Sequence, residues 1–339
     1  MREALRTIKP ALPSRNSLQV LNNILLKGGV VTACNLELMI SAPVDSKLEA
    51  LLPPKIIEIA EAVGDFEMEL QGQLLHITAG RGQFNLPTDS SFDDYPEPFH
   101  AKELFEVEPK AFIEAVASVV FAVSTEETRP AFIGVLIESG GDKVTFTASD
   151  TYRLASAGVK MNAPEFRILV KPTILKELVR LKPTKLEMGF TDSTVTFGFD
   201  DALFTARLLG DKYPDVSNII PKEAKTTIGA VAGGLSQPLL DAVKRASLLA
   251  DGKNKAIGFA VVENELVISA TGGEGNMEEK LPVNKTGDDV SLFLNANYLQ
   301  DILKYEGLEI RLHGEGGAVV IKRPGYDYTY LLLPIKKMG

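Results

Sequence analysis

Apolar and polar positions alternate along this chain in a pattern that is written three times. The stretches Phe66-Glu67-Met68-Glu69-Leu70, Leu186-Glu187-Met188-Gly189-Phe190 and Leu308-Glu309-Ile310-Arg311-Leu312 recur about 120 residues apart. Alternation of period two predicts a strand, and a run of helical spacing precedes each of these stretches. A fixed period marks duplicated units, and one this long makes each copy a domain. For 339 residues, a length prior of about 150 per domain suggests two. The repeat instead predicts three, at 1–103, 104–223 and 224–339, each large enough to bury its own core.

Every copy reads as two halves, each a helix followed by strands. First-half helices are predicted over 2–12, 109–123 and 238–250. Their apolar faces are Leu5, Ile8 and Leu12; Phe112, Ala115, Val116 and Val119; and Leu239, Ala242, Val243 and Ala246. Pro109 and Pro238 suit a first helical turn, and Ser236 is placed to cap the third helix. Second-half helices are predicted over 54–63, 172–181 and 297–305. They bury Ile56, Ile57, Ile59 and Ala60; Ile174, Leu175, Leu178 and Val179; and Tyr298, Leu299, Ile302 and Leu303. Each copy closes on a strand, at 84–86, 204–209 and 328–333. The fold class is therefore α+β: repeated domains, each with two helices on an antiparallel sheet. Asp94-Tyr95-Pro96-Glu97 and Lys212-Tyr213-Pro214-Asp215 read as extended linkers between copies.

Composition adds exclusions. A hydrophobic fraction of 45% and a charged fraction of 24% are those of an ordinary globular chain. No apolar run approaches the roughly 20 residues of a membrane span, and MREALRTIKPAL lacks the apolar core of a signal peptide. Cys34, the single cysteine, reads as a buried thiol on a strand. A cytoplasmic location is expected. The net charge of −9 argues against binding nucleic acid through bulk basicity.

The bases are nonetheless placed in a pattern, because each predicted helix carries lysine or arginine away from its apolar stripe. Arg2, Arg6 and Lys9 share one face at i, i+4 and i+7. The others carry Lys55; Lys110; Lys176 with Arg180; Lys244 with Arg245; and Lys304. On one helix this is a solvated face. On six repeated helices it predicts a basic inner wall if the domains form an arc, and such a wall meets phosphates without reading bases.

Catalytic chemistry is missing. His76, His100 and His313 are scattered, and no His, Cys and carboxylate cluster has zinc spacing. The glycine clusters at 80–82, 140–141, 272–273 and 314–317 do not open a helix after a strand, which speaks against a phosphate-cradling loop. Asp93-Asp94, Asp200-Asp201 and Asp288-Asp289 fall in expected turns. An enzyme is not expected, and no cofactor or metal is implied.

The stretch ASDTYRLA at 148–155 resembles the A-T-D-G-H-R-L-A loop of the bacterial DNA polymerase III β subunit, the β sliding clamp family. GRGQFNLPT (80–88), DKYPDVSNIIPK (211–222), AVKRASLLAD (242–251) and YLLLPI (330–335) match that family in order. The resemblance implies three DNA-clamp domains per chain, forming half of a ring that a head-to-tail homodimer completes. It implies a non-catalytic processivity subunit, with double-stranded DNA, the replicative polymerase α-type subunit, the clamp loader and other clamp-binding-motif proteins as partners. No membrane is involved.

Matched position by position, the family's partner-peptide pocket falls on Arg129, Phe132, Ser149, Thr151, Tyr152, Arg153, Leu154, Pro214, Asn218, Ile219, Leu331, Leu333, Pro334 and Ile335, while Asp150 orders the loop. For the last leucines, edge-strand burial is the alternative. The implied dimer contact pairs Phe84 and Leu86 with Leu248 and Leu249 of a second copy, and Arg81 with Glu274, Glu278 or Glu279. Phe84 and Leu248 read equally well as core. Arg15 and Lys171 join the DNA-facing bases. Three departures stand out: Thr151-Tyr152 replaces the usual Gly-His, no strand precedes the first helix, and Lys336 to Gly339 extend the end. Two other readings remain: a eukaryote-type clamp, which has two repeats per chain, and a repeat-built scaffold that never touches DNA.

Overall fold

The computed structural model describes residues 1–13, 17–88, 92–216, 218–229, 234–252 and 254–336. Its α-helices are α1 (Arg2–Ile8), α2 (Lys55–Val63), α3 (Pro109–Val119), α4 (Pro172–Leu181), α5 (Ser236–Leu249) and α6 (Ala296–Ile302). Two fall in each predicted repeat. Their apolar stripes are buried as the spacing requires, with Leu12, Val179 and Tyr298 only half-buried.

Several helix ends differ from expectation for local reasons. Pro10 has no amide hydrogen to donate, so α1 stops at Ile8 and Lys9–Ala11 tighten into a 3-10 turn. A 3-10 turn at Val120–Ala122 likewise finishes α3. The α5 helix starts at Ser236, which lies in its first turn and is buried. The capping position is Leu235, with no side-chain hydrogen bond, so Ser236 is not the cap. Asn295 caps α6, accepting from the amides of Asn297 and Tyr298 at 2.9 and 3.3 Å, and α6 therefore begins one residue early.

The chain folds as two compact units, one of 1–113 with 173–210 and one of 114–172 with 211–339. These limits cut through the second repeat instead of following its ends. In the first unit, an eight-stranded antiparallel sheet runs Ala50–Leu52, Ile24–Lys27, Val30–Cys34, Leu38–Pro43, Ala202–Arg207, Thr194–Phe199, Leu186–Phe190, Phe105–Val107. Its middle seam joins two repeats, pairing Leu203 with Ser41 and Ala206 with Leu38. The α1 helix packs on Leu38–Pro43 and on α2. A separate three-stranded sheet comprises Glu67–Gln71, Leu74–Ala79 and Gly82–Pro87.

In the second unit, a nine-stranded sheet runs Phe166–Val170, Val135–Ser139, Lys143–Ser149, Arg153–Lys160, Asp327–Leu332, Val319–Lys322, Glu309–Leu312, Thr226–Gly229, Asn284–Gly287. Its seam again joins two repeats, pairing Arg153 with Leu332 and Leu154 with Leu331. A four-stranded sheet runs Gly275–Pro282, Glu265–Gly272, Ala256–Val262, Val290–Asn295, and α5 packs across it beside α6.

Inside both large sheets, cross-strand hydroxyls pair at a repeated spacing of nine residues. The pairs are Thr32 with Ser41 at 3.0 Å, Thr147 with Ser156 at 3.3 Å and Thr196 with Thr205 at 2.9 Å. Each hydroxyl finds its partner directly across the ladder, so the buried ones among them, all but the half-buried Ser156, are not orphaned.

Candidate partner-binding surface and basic helix faces

The second unit is organised around a tight reversal between strands Lys143–Ser149 and Arg153–Lys160. Asp150 Oδ1 accepts from the amides of Tyr152 and Arg153 at 3.0 and 2.9 Å, holding the turn as aspartate side chains do. Ser149 Oγ accepts from the Thr151 amide at 3.1 Å and donates to the Arg153 carbonyl at 2.7 Å. Thr151 sits at φ +78°, a region that a β-branched residue seldom adopts. Arg129 Nη1 donates to its hydroxyl at 2.5 Å.

Arg153 points inward, away from the surface that the family resemblance assigned it. Only 8% exposed, it donates from Nε to Asp150 Oδ2 at 3.0 Å, from Nη1 to Asp301 Oδ2 at 2.6 Å and from Nη2 to the Phe121 carbonyl at 2.6 Å. Its guanidinium stacks 4.1 Å from the Tyr298 ring centroid. Burial, with the charge of Asp150, pushes the Tyr298 phenol up to about 12. The same two causes, in the same order, raise the Tyr213 phenol. Both stay neutral across the physiological range.

Around this anchor the predicted pocket residues separate by depth. Ser149, Leu154 and Leu331 are buried; Leu154 and Leu331 share a core cluster with Val320, against which Val216 and Ile220 pack. These three lie beneath the surface and are not open walls. Tyr152, Ile219 and Leu333 are exposed by 55%, 51% and 43%. The Leu333 amide donates to the Tyr152 carbonyl at 2.9 Å, Phe132 meets Tyr213 edge-on at 5.5 Å, and the Ile335 amide donates to the Phe293 carbonyl at 2.8 Å. Arg129, Pro214 and Asn218 are exposed, while Phe132, Thr151, Pro334 and Ile335 are half-buried.

The predicted helix bases are exposed, but many have acidic neighbours. Lys55 pairs with Glu58 at 2.5 Å, Arg180 with Glu177 at 2.7 Å, Lys304 with Asp301 at 3.5 Å and Lys244 with Asp241 at 3.9 Å, all one turn apart. Lys9, in the 3-10 turn, reaches Glu61 at 3.6 Å. Among the described residues, Arg2, Arg6 and Lys176 have no carboxylate within 4.0 Å. Arg6, Lys9 and Arg180 line one recess of about 310 Å³ with Pro10, Glu61 and Glu177. Lys171 is half-buried, and Arg15 lies outside the described residues.

Two sheet edges carry the residues assigned to the dimer contact. Phe84 and Leu86 are half-buried on Gly82–Pro87, an edge strand of the three-stranded sheet, with Arg81 exposed before it. Gly275–Pro282 is an edge strand of the four-stranded sheet and carries Glu278 and Glu279; Glu274 precedes it, exposed. Glu279 is taken by Arg245 of its own chain through two bonds of 2.9 and 2.6 Å. Leu248 is 78% exposed, so it is not core, and Leu249 is half-buried.

Residues 106–215 match the description of the DNA polymerase III β subunit central domain, and residues 217–336 match its C-terminal domain. The chain belongs to the DNA polymerase III β subunit family. It is 31% identical over 290 residues to the β sliding clamp of Bacillus subtilis, covering 80% of this chain and 75% of that protein. With the β sliding clamp of Synechococcus elongatus it shares 26% over 365 residues, 98% and 96% of the two chains. The fold agrees: a crystal structure of the Bacillus subtilis sliding clamp superposes with a TM-score of 0.90 at 24% identity, over 99% and 97% of the two chains. A putative β subunit from Eubacterium rectale superposes with the same score at 19% identity, again over 99% and 97%.

A β sliding clamp is a non-catalytic processivity subunit of DNA polymerase III. Sequence reasoning missed four residues that surround the turn at 149–153: Phe121, Tyr213, Tyr298 and Asp301. Three of them lie on helical turns or a linker far from the 148–155 loop, and Tyr298 was read as core. Tyr298 and Asp301 reach Arg153 from the third repeat, across the seam of the nine-stranded sheet, while Phe121 reaches it from the end of α3 in the same repeat as Arg153.

Proposed function

We propose that two copies of this chain close head to tail around duplex DNA, each contributing three domains at 1–103, 104–223 and 224–339. The ring tethers the polymerase α-type subunit, the clamp loader and other motif-bearing proteins through the surface around Tyr152. The observation that carries this reading is the exposed apolar pair Tyr152 and Leu333, joined by a 2.9 Å backbone bond, with Tyr152 on a turn that Asp150 and Arg153 hold and Ile219 exposed as well. A preorganised apolar surface with a few polar groups at its margin suits a short peptide with apolar anchors. Arg129 and Asn218 are those polar groups.

Encirclement needs little contact energy. Exposed bases, partly balanced by carboxylates one turn away, give weak, salt-screened attraction, and weak attraction permits sliding. The edge strands Gly82–Pro87 and Gly275–Pro282 have free ladder groups to join across a dimer contact, with Leu248 supplying apolar area. A cytoplasmic site of action fits this role; no helix among the described residues is long and apolar enough to cross a membrane.

The test is retention on nicked circular DNA after loading, followed by linearisation. Loss of the protein on linearisation is the expected result, and equal retention on linear DNA with free ends overturns the ring. For the surface, Leu333→Ala with Pro334→Ala is expected to abolish binding of a polymerase tail peptide without dissociating the dimer. Unchanged peptide affinity overturns that assignment.

A further inference from the structure

The strands Val319–Lys322 and Asp327–Leu332 are joined through Arg323-Pro324-Gly325-Tyr326. The Tyr326 amide donates to the Arg323 carbonyl at 3.0 Å, and Gly325 sits at φ +86° after proline, as a type II turn requires. This rigid turn fixes an unusual arginine. The Arg323 guanidinium lies 3.7 Å from the Tyr326 ring centroid and 5.0 Å from that of Tyr305. Among the described residues it has no hydrogen bond and no ion pair, and its Nε is shielded from solvent without an acceptor. The adjacent carboxylate of Asp327 is engaged by Lys143 at 2.5 Å.

Buried donors are almost always satisfied, so an arginine stacked between two rings with an unused fork calls for an acceptor from outside the chain. The ring in front of it narrows what that acceptor belongs to. Tyr326 is 57% exposed, with one face on the guanidinium. A carboxylate would use the fork and ignore the ring. A nucleotide uses both, placing its base on the ring and a base or phosphate oxygen at the guanidinium edge.

Ring contacts decide the side. Tyr328 and Tyr330 share a face of their strand and reach the helices: Tyr328 Oη donates to the Ser118 carbonyl of α3 and Tyr330 Oη to the Tyr298 carbonyl of α6, each at 3.0 Å. Tyr305 lies 6.3 Å from Tyr328, and Arg323, over both Tyr305 and Tyr326, ties the turn to that helix-covered face. Tyr305 directly follows Lys304, one of the helix bases.

We infer that Tyr326 and Arg323 form a stacking site for an unpaired nucleobase of single-stranded DNA. The site extends the proposed DNA-facing helix surface, and so rests on that reading. It holds a strand by stacking, where the helix bases act only through charge.

Full-length protein titrated against a short fluorescein-labelled single-stranded oligonucleotide, read by anisotropy, tests the site. Tyr326→Ala is expected to weaken binding about ten-fold and Tyr326→Phe to leave it near wild type, because stacking needs the ring and not the hydroxyl. Arg323→Leu is expected to weaken binding and to flatten its salt dependence. Circular dichroism verifies folding; should Arg323→Leu unfold, the two Tyr326 variants still decide the matter. Equal binding by Tyr326→Ala and wild type overturns the proposal. So does loss of clamp-loader binding by these variants with oligonucleotide affinity unchanged. Retention on nicked circular duplex is measured in parallel and is expected to survive Tyr326→Ala. A wild-type protein that fails only the circle assay overturns the ring and leaves this site standing.

Discussion

Arg153 Nη1 donates to Asp301 Oδ2 at 2.6 Å, joining two residues that stand 148 positions apart in the chain. Through this bond the α6 helix holds the guanidinium that in turn holds Asp150 and the turn bearing Tyr152. Removing one partner of a buried pair strands the other charge. Asp301→Ala is expected to destabilise the protein by about 2 kcal/mol, below the full buried-pair cost because Asp301 is partly exposed and Asp150 remains. Urea unfolding measures it, and peptide affinity should fall in the same variant.

Thr151 holds a left-handed conformation that glycine adopts freely. Backbone strain at such a position costs roughly 1–3 kcal/mol, against about 0.5–1 kcal/mol of extra chain entropy lost by glycine. Thr151→Gly should therefore raise unfolding stability by about 1 kcal/mol, despite loss of the Arg129 bond. A lower urea midpoint would count against strain at this turn.

Thr196 is fully buried and serves two neighbours: its hydroxyl meets Thr205 Oγ1 at 2.9 Å and accepts from the Ala101 amide at 2.8 Å, and Thr205 in turn meets His100 Nδ1 at 2.6 Å. Thr196→Val keeps the shape and leaves a buried amide unpaired. A loss of about 1–3 kcal/mol is expected on thermal or urea unfolding.

Burial lowers the pKa of His100 from its ordinary 6.5. The folded state thus favours the neutral ring, and the unfolded chain binds the proton more readily. The resulting stability is complete above 6.5 and is lost as pH falls through the folded pKa. Melting temperature should drop on acidification below that point, and His100→Gln should flatten the profile. A profile identical in the variant would remove His100 as the cause.

Among the described residues, Leu248 is the most exposed of the large apolar side chains, at 78%. Burying a leucine is worth about 1.5–3 kcal/mol, and a charge in its place opposes burial. In the proposed dimer, of about 73 kDa or twice 36.7 kDa, Leu248→Asp is expected to lower the solution mass to that of one chain. Light scattering at micromolar concentration reads the outcome, and an unchanged mass would move the dimer contact elsewhere.

Much of this was legible from residue order. Helical spacing located α1 to α6 and their buried stripes, because an amphipathic helix writes its inner face into its own sequence. Prolines and asparagine set several ends, although Ser236 misled: buried in the first turn, it had no amide to cap. The 148–155 loop carries the family resemblance, yet the depth of its residues was not written there. Arg153, Leu154 and Leu331 look like any surface-loop or edge-strand residues until the opposite seam is in place.

Helix and strand patterning belongs to the chain taken locally and was enough for the α+β class, while the 148–155 loop and its companion motifs carried the family. Strand pairing across the repeats was not available in that way. The seams Leu38–Pro43 with Ala202–Arg207, and Arg153–Lys160 with Asp327–Leu332, rest on backbone hydrogen bonds that any strand can offer. Which strands meet depends on how the whole core packs. That pairing brings Asp301 to Arg153 and Leu333 to Tyr152, and so it was folding at long range that assembled the surface.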